Sequence, residues 1–201
     1  MLRKTMLGLG LMGMLSSEAY AEDIEYASMS LGELTKYLQE KTVVLNDFNF
    51  KKEITDYDGA AIVLFYSSCN QTENADNIDR NMEIVYLQLR DKFQSAEVNA
   101  LPLKFTSFDG CKYKGNNGKV IIGLNVRSTE THMYLDGQEV DRRVGGPTNE
   151  NGVKASINNM GWWINYALLG IRQEEDKDRD IVLLYKGDSK LEEYPHSEIQ
   201  N

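Results

Sequence analysis

The chain has 201 residues, 41% of them hydrophobic, which is enough for one domain with a core of its own. Its formal net charge of -9 argues against nucleic acid or an anionic lipid surface as a partner, because both attract proteins through Lys and Arg. Two cysteines and two histidines lie far apart and lack the spacing of a zinc site, so we expect neither a metal nor a cofactor.

The amino terminus has the parts of an export signal. Arg3 and Lys4 precede an apolar stretch of ten residues, Met6–Leu15, and Ala19-Tyr20-Ala21 matches a cleavage pattern. We therefore predict a signal peptide over residues 1–21, cleavage after Ala21, and a periplasmic or secreted protein without stable membrane insertion. The alternative is an uncleaved anchor, although ten apolar residues are fewer than the ~20 that span a bilayer.

Residues 22–42 are predicted to be an amino-terminal helical segment. Ser30 and Glu33 have the spacing of a capping box, in which each side chain bonds the backbone amide of the other residue. Leu31, Leu34 and Leu38 then recur on one face of a helix, which indicates a buried side.

Three strands are predicted between residues 43 and 106. The first begins at Val43 and ends near residue 50. The second is the apolar run Ala60–Tyr66, which is typical of a strand buried on both faces. A helix from Glu73 to Phe93, capped by Thr72, connects it to a strand over residues 101–106. Strand, helix and strand of this length form a right-handed unit with parallel strands.

A short helix, a hairpin and a long helix are predicted next. The short helix covers residues 119–124. The hairpin joins residues 130–135 to 138–144 through Asp136-Gly137, a dipeptide that favours a tight turn. His132, on its first strand, is expected to be a residue of the sheet face and not a base. Asn149 or Asn151 caps the last helix, and Gly170 ends it.

Residues 171–201 are predicted to be a carboxyl-terminal extension. The charged run over residues 172–180 indicates a linker, and the apolar segment 181–185 indicates a strand followed by a polar tail. That strand pairs either with a sheet edge of its own domain or with another chain. Pairing within the chain is favoured, because exposed apolar strands promote aggregation.

Residues 43–170 resemble the thioredoxin family. The segment Phe65-Tyr66-Ser67-Ser68-Cys69 is similar to the family's strand that delivers its first active-site cysteine to the start of a helix. Residues 126–137, followed by Val144-Gly145, are similar to the family's loop, strand, turn and glycine. The resemblance implies an α/β fold with a thioredoxin-like mixed sheet flanked by helices.

The chain departs from the family at two positions. The family's C-x-x-C motif here reads Cys69-Asn70-Gln71-Thr72, without the second cysteine. Thr129, with Ser128 beside it, stands where the family has a cis-proline. A cis bond before a residue other than proline costs ~2.5–4 kcal/mol, so we expect a trans bond at Thr129. Dithiol activity of the usual kind is therefore not expected.

The two cysteines form the candidate site. Cys69 is expected at the start of a helix, where the helix dipole stabilises a thiolate, but Glu73 and Asp76 nearby oppose it. Cys111 follows the neighbouring parallel strand, so both sulfurs should emerge at one end of the sheet within reach of a disulfide. A static Cys69–Cys111 bond is the favoured interpretation, and a switchable bond would be a redox site.

Two functions of different class remain open. The favoured one is an exported binding or assembly module that acts on a protein partner. The second is a thiol–disulfide oxidoreductase in which Cys69 is the nucleophile and Cys111 resolves the mixed disulfide. The partner surface is expected at the end of the sheet that carries five hydroxyl side chains: Ser67, Ser68, Thr72, Ser128 and Thr129.

Overall fold

The computed structural model describes residues 23–69, 77–98, 100–113, 118–126, 129–168, 171–176, 179, 181–186 and 189–195. The predicted signal peptide, Thr72 and Ser128 lie outside the described residues. The helices are α1 (Asp23–Ser28), α2 (Leu31–Lys41), α3 (Ile78–Lys92), α4 (Lys119–Gly123) and α5 (Glu150–Ala167), with a π-helix (Lys51–Thr55) and a 3₁₀ helix (Gly110–Tyr113). The strands are β1 (Val43–Val44), β2 (Ala60–Tyr66), β3 (Glu97–Val98), β4 (Leu101–Pro102), β5 (Lys104–Asp109), β6 (Glu130–Leu135), β7 (Gln138–Val144), β8 (Ile171–Asp176), β9 (Ile181–Lys186) and β10 (Ser189–Pro195).

A five-stranded mixed sheet with the order β1-β5-β2-β6-β7 forms the centre of the fold. β1, β5 and β2 are parallel, and the hairpin β6–β7 runs antiparallel to them. Every residue of β2 is buried, as its apolar run predicts. Ile62 and Leu64 pack with α2, α3 and α5 on one face, while Val63 and Phe65 pack with the π-helix and α4 on the other.

The Tyr86 hydroxyl connects α3 to the two central parallel strands through hydrogen bonds. It is 2.7 Å from the carbonyl oxygens of Ile62 and Thr106, and it accepts a hydrogen bond of 2.9 Å from the Thr106 amide. The side chain is fully buried. Because buried backbone groups need partners, this hydroxyl stabilises the contact between β2 and β5.

The long helix starts later than the sequence predicts. α3 begins at Ile78, and its N-cap is Asn77, whose side chain accepts a hydrogen bond from the Arg80 amide. The predicted start at Glu73 and its cap Thr72 lie outside the described residues. Cys69 lies nine positions before the first residue of α3 and therefore outside its first turn.

The strand predicted over residues 101–106 is also displaced. β5 covers Lys104–Asp109, while Leu101–Pro102 pairs with Glu97–Val98 in a small separate hairpin. Pro102 has no amide hydrogen to donate to the main sheet, and Ala100, with φ 61°, turns the chain before it. The predicted strand therefore begins and ends three residues before the observed one.

The predicted hairpin and its turn are confirmed. Asp136 and Gly137 have φ of 50° and 73°, the left-handed backbone that a tight two-residue hairpin turn requires. A Cβ atom on Gly137 would lie 2.0 Å from the carbonyl oxygen of Thr55 in the π-helix. Glycine is therefore needed here both for the turn and for close packing.

The carboxyl-terminal segment differs from its prediction. The charged run expected to be a linker begins with a strand, β8, and the expected polar tail contains another, β10. Both pair antiparallel with β9, which forms the middle of a three-stranded sheet and does not join an edge of the central sheet. Antiparallel strands pair through backbone hydrogen bonds, which residues with charged side chains can also form. A high content of charged residues therefore does not exclude a strand.

Candidate functional site

The two cysteines form a disulfide at one end of the central sheet. Cys69 follows β2, Cys111 lies in the 3₁₀ helix after β5, and their Cα atoms are 5.6 Å apart. The parallel register places Tyr66, the last residue of β2, beside Asp109, the last of β5. The predicted pairing is confirmed, because parallel neighbours deliver both cysteines to the same end.

Asp109 is a buried carboxylate that bonds both cysteine segments. Its Oδ1 atom accepts hydrogen bonds from the amides of Ser68, at 3.1 Å, and of Cys111, at 3.0 Å. Its Oδ2 atom accepts a bond of 2.7 Å from the Ser68 hydroxyl. The residue is 2% exposed. No local pattern in the sequence indicates that Asp109 has a partner at position 68.

The serines before Cys69 face the disulfide and its carboxylate. Ser67 Oγ lies 3.4 Å from the Sγ atom of Cys69, so its hydroxyl is in contact with the sulfur. The amide and hydroxyl of Ser68 are both bonded to Asp109. Cys69 itself is exposed, and Cys111 is half-buried.

Thr129 lies at the same end of the sheet but faces inward. Glu130, the first residue of β6, pairs with Phe65 near the end of β2. The Thr129 hydroxyl donates to the Asp79 carboxylate, its carbonyl oxygen accepts a 2.8 Å bond from the Gly145 amide, and the residue is 5% exposed. The described peptide bonds are all trans. The bond before Thr129 joins it to position 128, which lies outside the described residues.

Tyr66, the last residue of β2, has an altered hydroxyl pKa. Burial raises the pKa of the Tyr66 hydroxyl, and the charges of Asp109 and Glu83 raise it further, against a hydrogen bond from Gln39. The bond from Gln39 Nε2 to the Tyr66 hydroxyl is 3.1 Å long. The carboxylates of Asp109 and Glu83 therefore disfavour a negative charge on the Tyr66 hydroxyl.

His132 is not placed to act as a base for the cysteines. Its ring is fully buried on the sheet face, with Nε2 2.8 Å from Glu130 Oε2 and Nδ1 3.2 Å from Glu139 Oε2. Arg142 Nε lies 2.7 Å from Glu139 Oε1 and adds a compensating charge. Both ring nitrogens therefore face carboxylates, and the cluster ties β6 to β7.

Large apolar side chains are exposed near this end of the sheet. Phe48 is 95% exposed, in a turn whose neighbour Asp47 accepts hydrogen bonds of 2.9 and 3.0 Å from the first two amides of α4. Ile122 of α4 is 67% exposed. α4 lies against the cysteine segment, because a Cβ atom on Gly110 would be 3.2 Å from Ile121 Cδ1.

The arrangement of the elements decides the fold. Three parallel strands and an antiparallel hairpin have the order β1-β5-β2-β6-β7, α3 precedes the strand beside β2, and α5 follows the hairpin. This five-stranded mixed sheet flanked by helices is the arrangement that the resemblance to the thioredoxin family predicts. Among solved structures the chain is similar to the crystal structure of Chlamydomonas reinhardtii thioredoxin f2, with 14% sequence identity and a TM-score of 0.43. The similarity covers 62% of this chain and 94% of the thioredoxin. No protein-family model and no curated protein matches the sequence.

The protein places its cysteines on two different segments, 42 residues apart, at the ends of neighbouring strands. Within the described ranges, no group of three His, Cys, Asp or Glu side chains is arranged to hold a metal ion. In that same part of the chain, no helix is both long and apolar enough to cross a membrane.

Proposed function

We propose that the protein is an exported binding or assembly module with a thioredoxin-like fold, in which the Cys69–Cys111 disulfide is a structural cross-link. The buried carboxylate of Asp109 is the observation that carries this proposal. Thiol exchange requires a thiolate, and a carboxylate bonded to both cysteine segments opposes its formation. A disulfide in such surroundings is suited to holding two loops together.

The position of α3 supports the same conclusion. In the resemblance described above, the nucleophilic cysteine owes its reactivity to the start of a helix. Here Asn77 is the N-cap and Ile78 begins the helix, so Cys69 lies outside the first turn of α3. Persistent disulfides belong to oxidising compartments, which agrees with the export signal proposed for residues 1–21.

The exposed apolar residues support a protein partner at the disulfide end. Phe48 and Ile122 are large side chains of the type that anchors protein interfaces, and both lie on elements joined by the Asp47 hydrogen bonds. The formal charge of -9 disfavours nucleic acid as the occupant of this surface.

The redox part of the proposal is tested by the reduction potential of the disulfide and by insulin reduction. We expect a potential below about -300 mV and no insulin turnover above the dithiothreitol blank. A potential between about -120 and -270 mV, with turnover that the Cys69→Ser variant loses, would establish the enzyme instead.

The binding part is tested by photo-crosslinking in cells of the native host. A photoreactive residue at position 48 should give one discrete protein adduct. The same residue at Tyr166, which is 66% exposed on α5, serves as the control and should give none. Equal labelling at both positions, or no adduct at position 48, would count against a partner surface at the disulfide end.

The alternative is a thiol–disulfide oxidoreductase, favoured by the exposure of Cys69 and by the Ser67 hydroxyl 3.4 Å from its sulfur. In the reduced protein, the Cys69 thiolate would attack a substrate disulfide, form a mixed disulfide and release the first substrate thiolate. The Cys111 thiolate would then attack the Cys69 sulfur and release the second. The substrate gains two electrons, and the protein loses two as its disulfide re-forms.

A further inference from the structure

We infer that Asp109 is a positioning residue for the cysteine pair: one carboxylate oxygen keeps both cysteine segments within bonding distance after the disulfide has been reduced. This inference rests on the structural role proposed above for the disulfide. It adds that the Asp109 carboxylate favours re-formation of the Cys69–Cys111 bond after reduction.

The hydrogen bonds to the Asp109 carboxylate do not involve the sulfur atoms. Oδ1 of Asp109 accepts from the amide of Ser68, directly before Cys69, and from the amide of Cys111 itself, so that a single atom joins the two segments. Oδ2 adds the bond to the Ser68 hydroxyl. None of these three bonds needs the S–S bond, so reduction leaves them in place.

The carboxylate is itself held in place. Asp109 is the last residue of β5 and pairs with Tyr66 of β2, so its backbone belongs to the central sheet. Gly110, which follows, is packed between Ile121 and the carbonyl oxygen of Tyr66. Hydrogen bonds to a buried carboxylate are stronger than bonds between neutral groups. Asp109 is thus a fixed point to which the loops attach.

This geometry favours re-formation of the disulfide. With oxidised glutathione, the protein dithiol gives up two electrons and two protons, the protein disulfide forms, and two glutathione thiols are released. Holding two reacting groups together raises their effective concentration, and the equilibrium constant of this exchange measures that concentration. Loss of the Asp109 bonds should therefore lower the constant.

The test is the exchange equilibrium with glutathione at about pH 6.5, where thiols of ordinary pKa are protonated. Asp109→Ala removes all three bonds and should lower the equilibrium constant by about tenfold or more. Asp109→Asn keeps Oδ1 for both amides and offers an amide hydrogen to the Ser68 oxygen, so it should stay within about threefold of the wild type. Ser68→Ala, which loses only the Oδ2 bond, should fall between them.

Glu53→Gln is the control. Glu53 lies 3.1 Å from the Nζ atom of Lys104, the first residue of β5, at the end of that strand opposite Asp109, so its replacement should not change the constant. Equal constants for Asp109→Ala and the wild type would overturn the inference. So would an equal loss in Asp109→Asn, which would implicate charge in place of geometry.

Should Asp109→Ala not fold, Ser68→Ala and Asp109→Asn still decide the matter. A constant for Ser68→Ala equal to that of the wild type would refute the inference. A different result would contradict the proposed function: insulin reduction by the wild-type protein that depends on Cys69. That result does not depend on the equilibrium constants of the Asp109 variants.

Discussion

Removing the disulfide should cost about 4 kcal/mol of unfolding free energy. The bond joins residues 42 positions apart, and the entropy model for closing a loop of this size in the unfolded chain gives ~4 kcal/mol at 25 °C. The double variant Cys69→Ala/Cys111→Ala leaves the Asp109 hydrogen bonds available, since they use only backbone amides and the Ser68 hydroxyl. The loss should therefore come chiefly from the unfolded state.

Urea unfolding followed by circular dichroism measures this difference. Wild type with reductant should unfold near the double variant, and the double variant itself should not respond to reductant. The slope of free energy against urea should rise slightly without the bond, because the unfolded chain becomes less compact. A difference below about 1 kcal/mol between oxidised wild type and the double variant would refute the loop-entropy reasoning.

Three further changes test the packing of the fold. Tyr86→Phe leaves backbone groups of the two central strands without their partner and should cost about 1–3 kcal/mol in urea unfolding, against less than about 0.5 kcal/mol for Tyr166→Phe at the surface. Gly137→Ala should lower the free energy of unfolding by more than about 1 kcal/mol, because Gly137 has a φ of 73° and lies against the π-helix. Gly32→Ala is the control: it has open space in α2 and should raise the free energy of unfolding by about 0.5–1 kcal/mol. A hydrogen bond from Lys104 holds the pKa of Glu53 below its usual value. The ionised carboxylate therefore stabilises the fold at any pH above the usual pKa, and this contribution is lost as the pH falls through the lowered pKa. Glu53→Gln should therefore lose less stability than the wild type between about pH 7 and about pH 3, and equal losses would contradict this assignment.

Elements with strong local signals were predicted well. The capping box of Ser30 and Glu33 opens α2, the apolar run of β2 is buried throughout, and Asp136-Gly137 turns the hairpin. Each signal depends on residues that are close neighbours in the chain. The cysteine pairing was also predictable, because adjacent parallel strands end at the same edge of a sheet.

Elements whose formation depends on distant partners were predicted poorly. β8 and β10 are rich in charged residues and become strands through their pairing with β9. His132 could be placed on a strand, yet its burial between Glu130 and Glu139 follows from the pairing of β6 with β7. The pairing of strands that are distant in sequence creates these contacts, and a local sequence pattern does not predict that pairing.

The sequence by itself determined the order of the main elements and the meeting of Cys69 with Cys111. These follow from hydrophobic periodicity, turn residues and the handedness of parallel crossovers. Only the tertiary structure decided the surroundings of the disulfide. Asp109 bonds to Ser68 across 41 positions of chain, and a hydrogen bond at that separation exists only once β2 and β5 lie side by side.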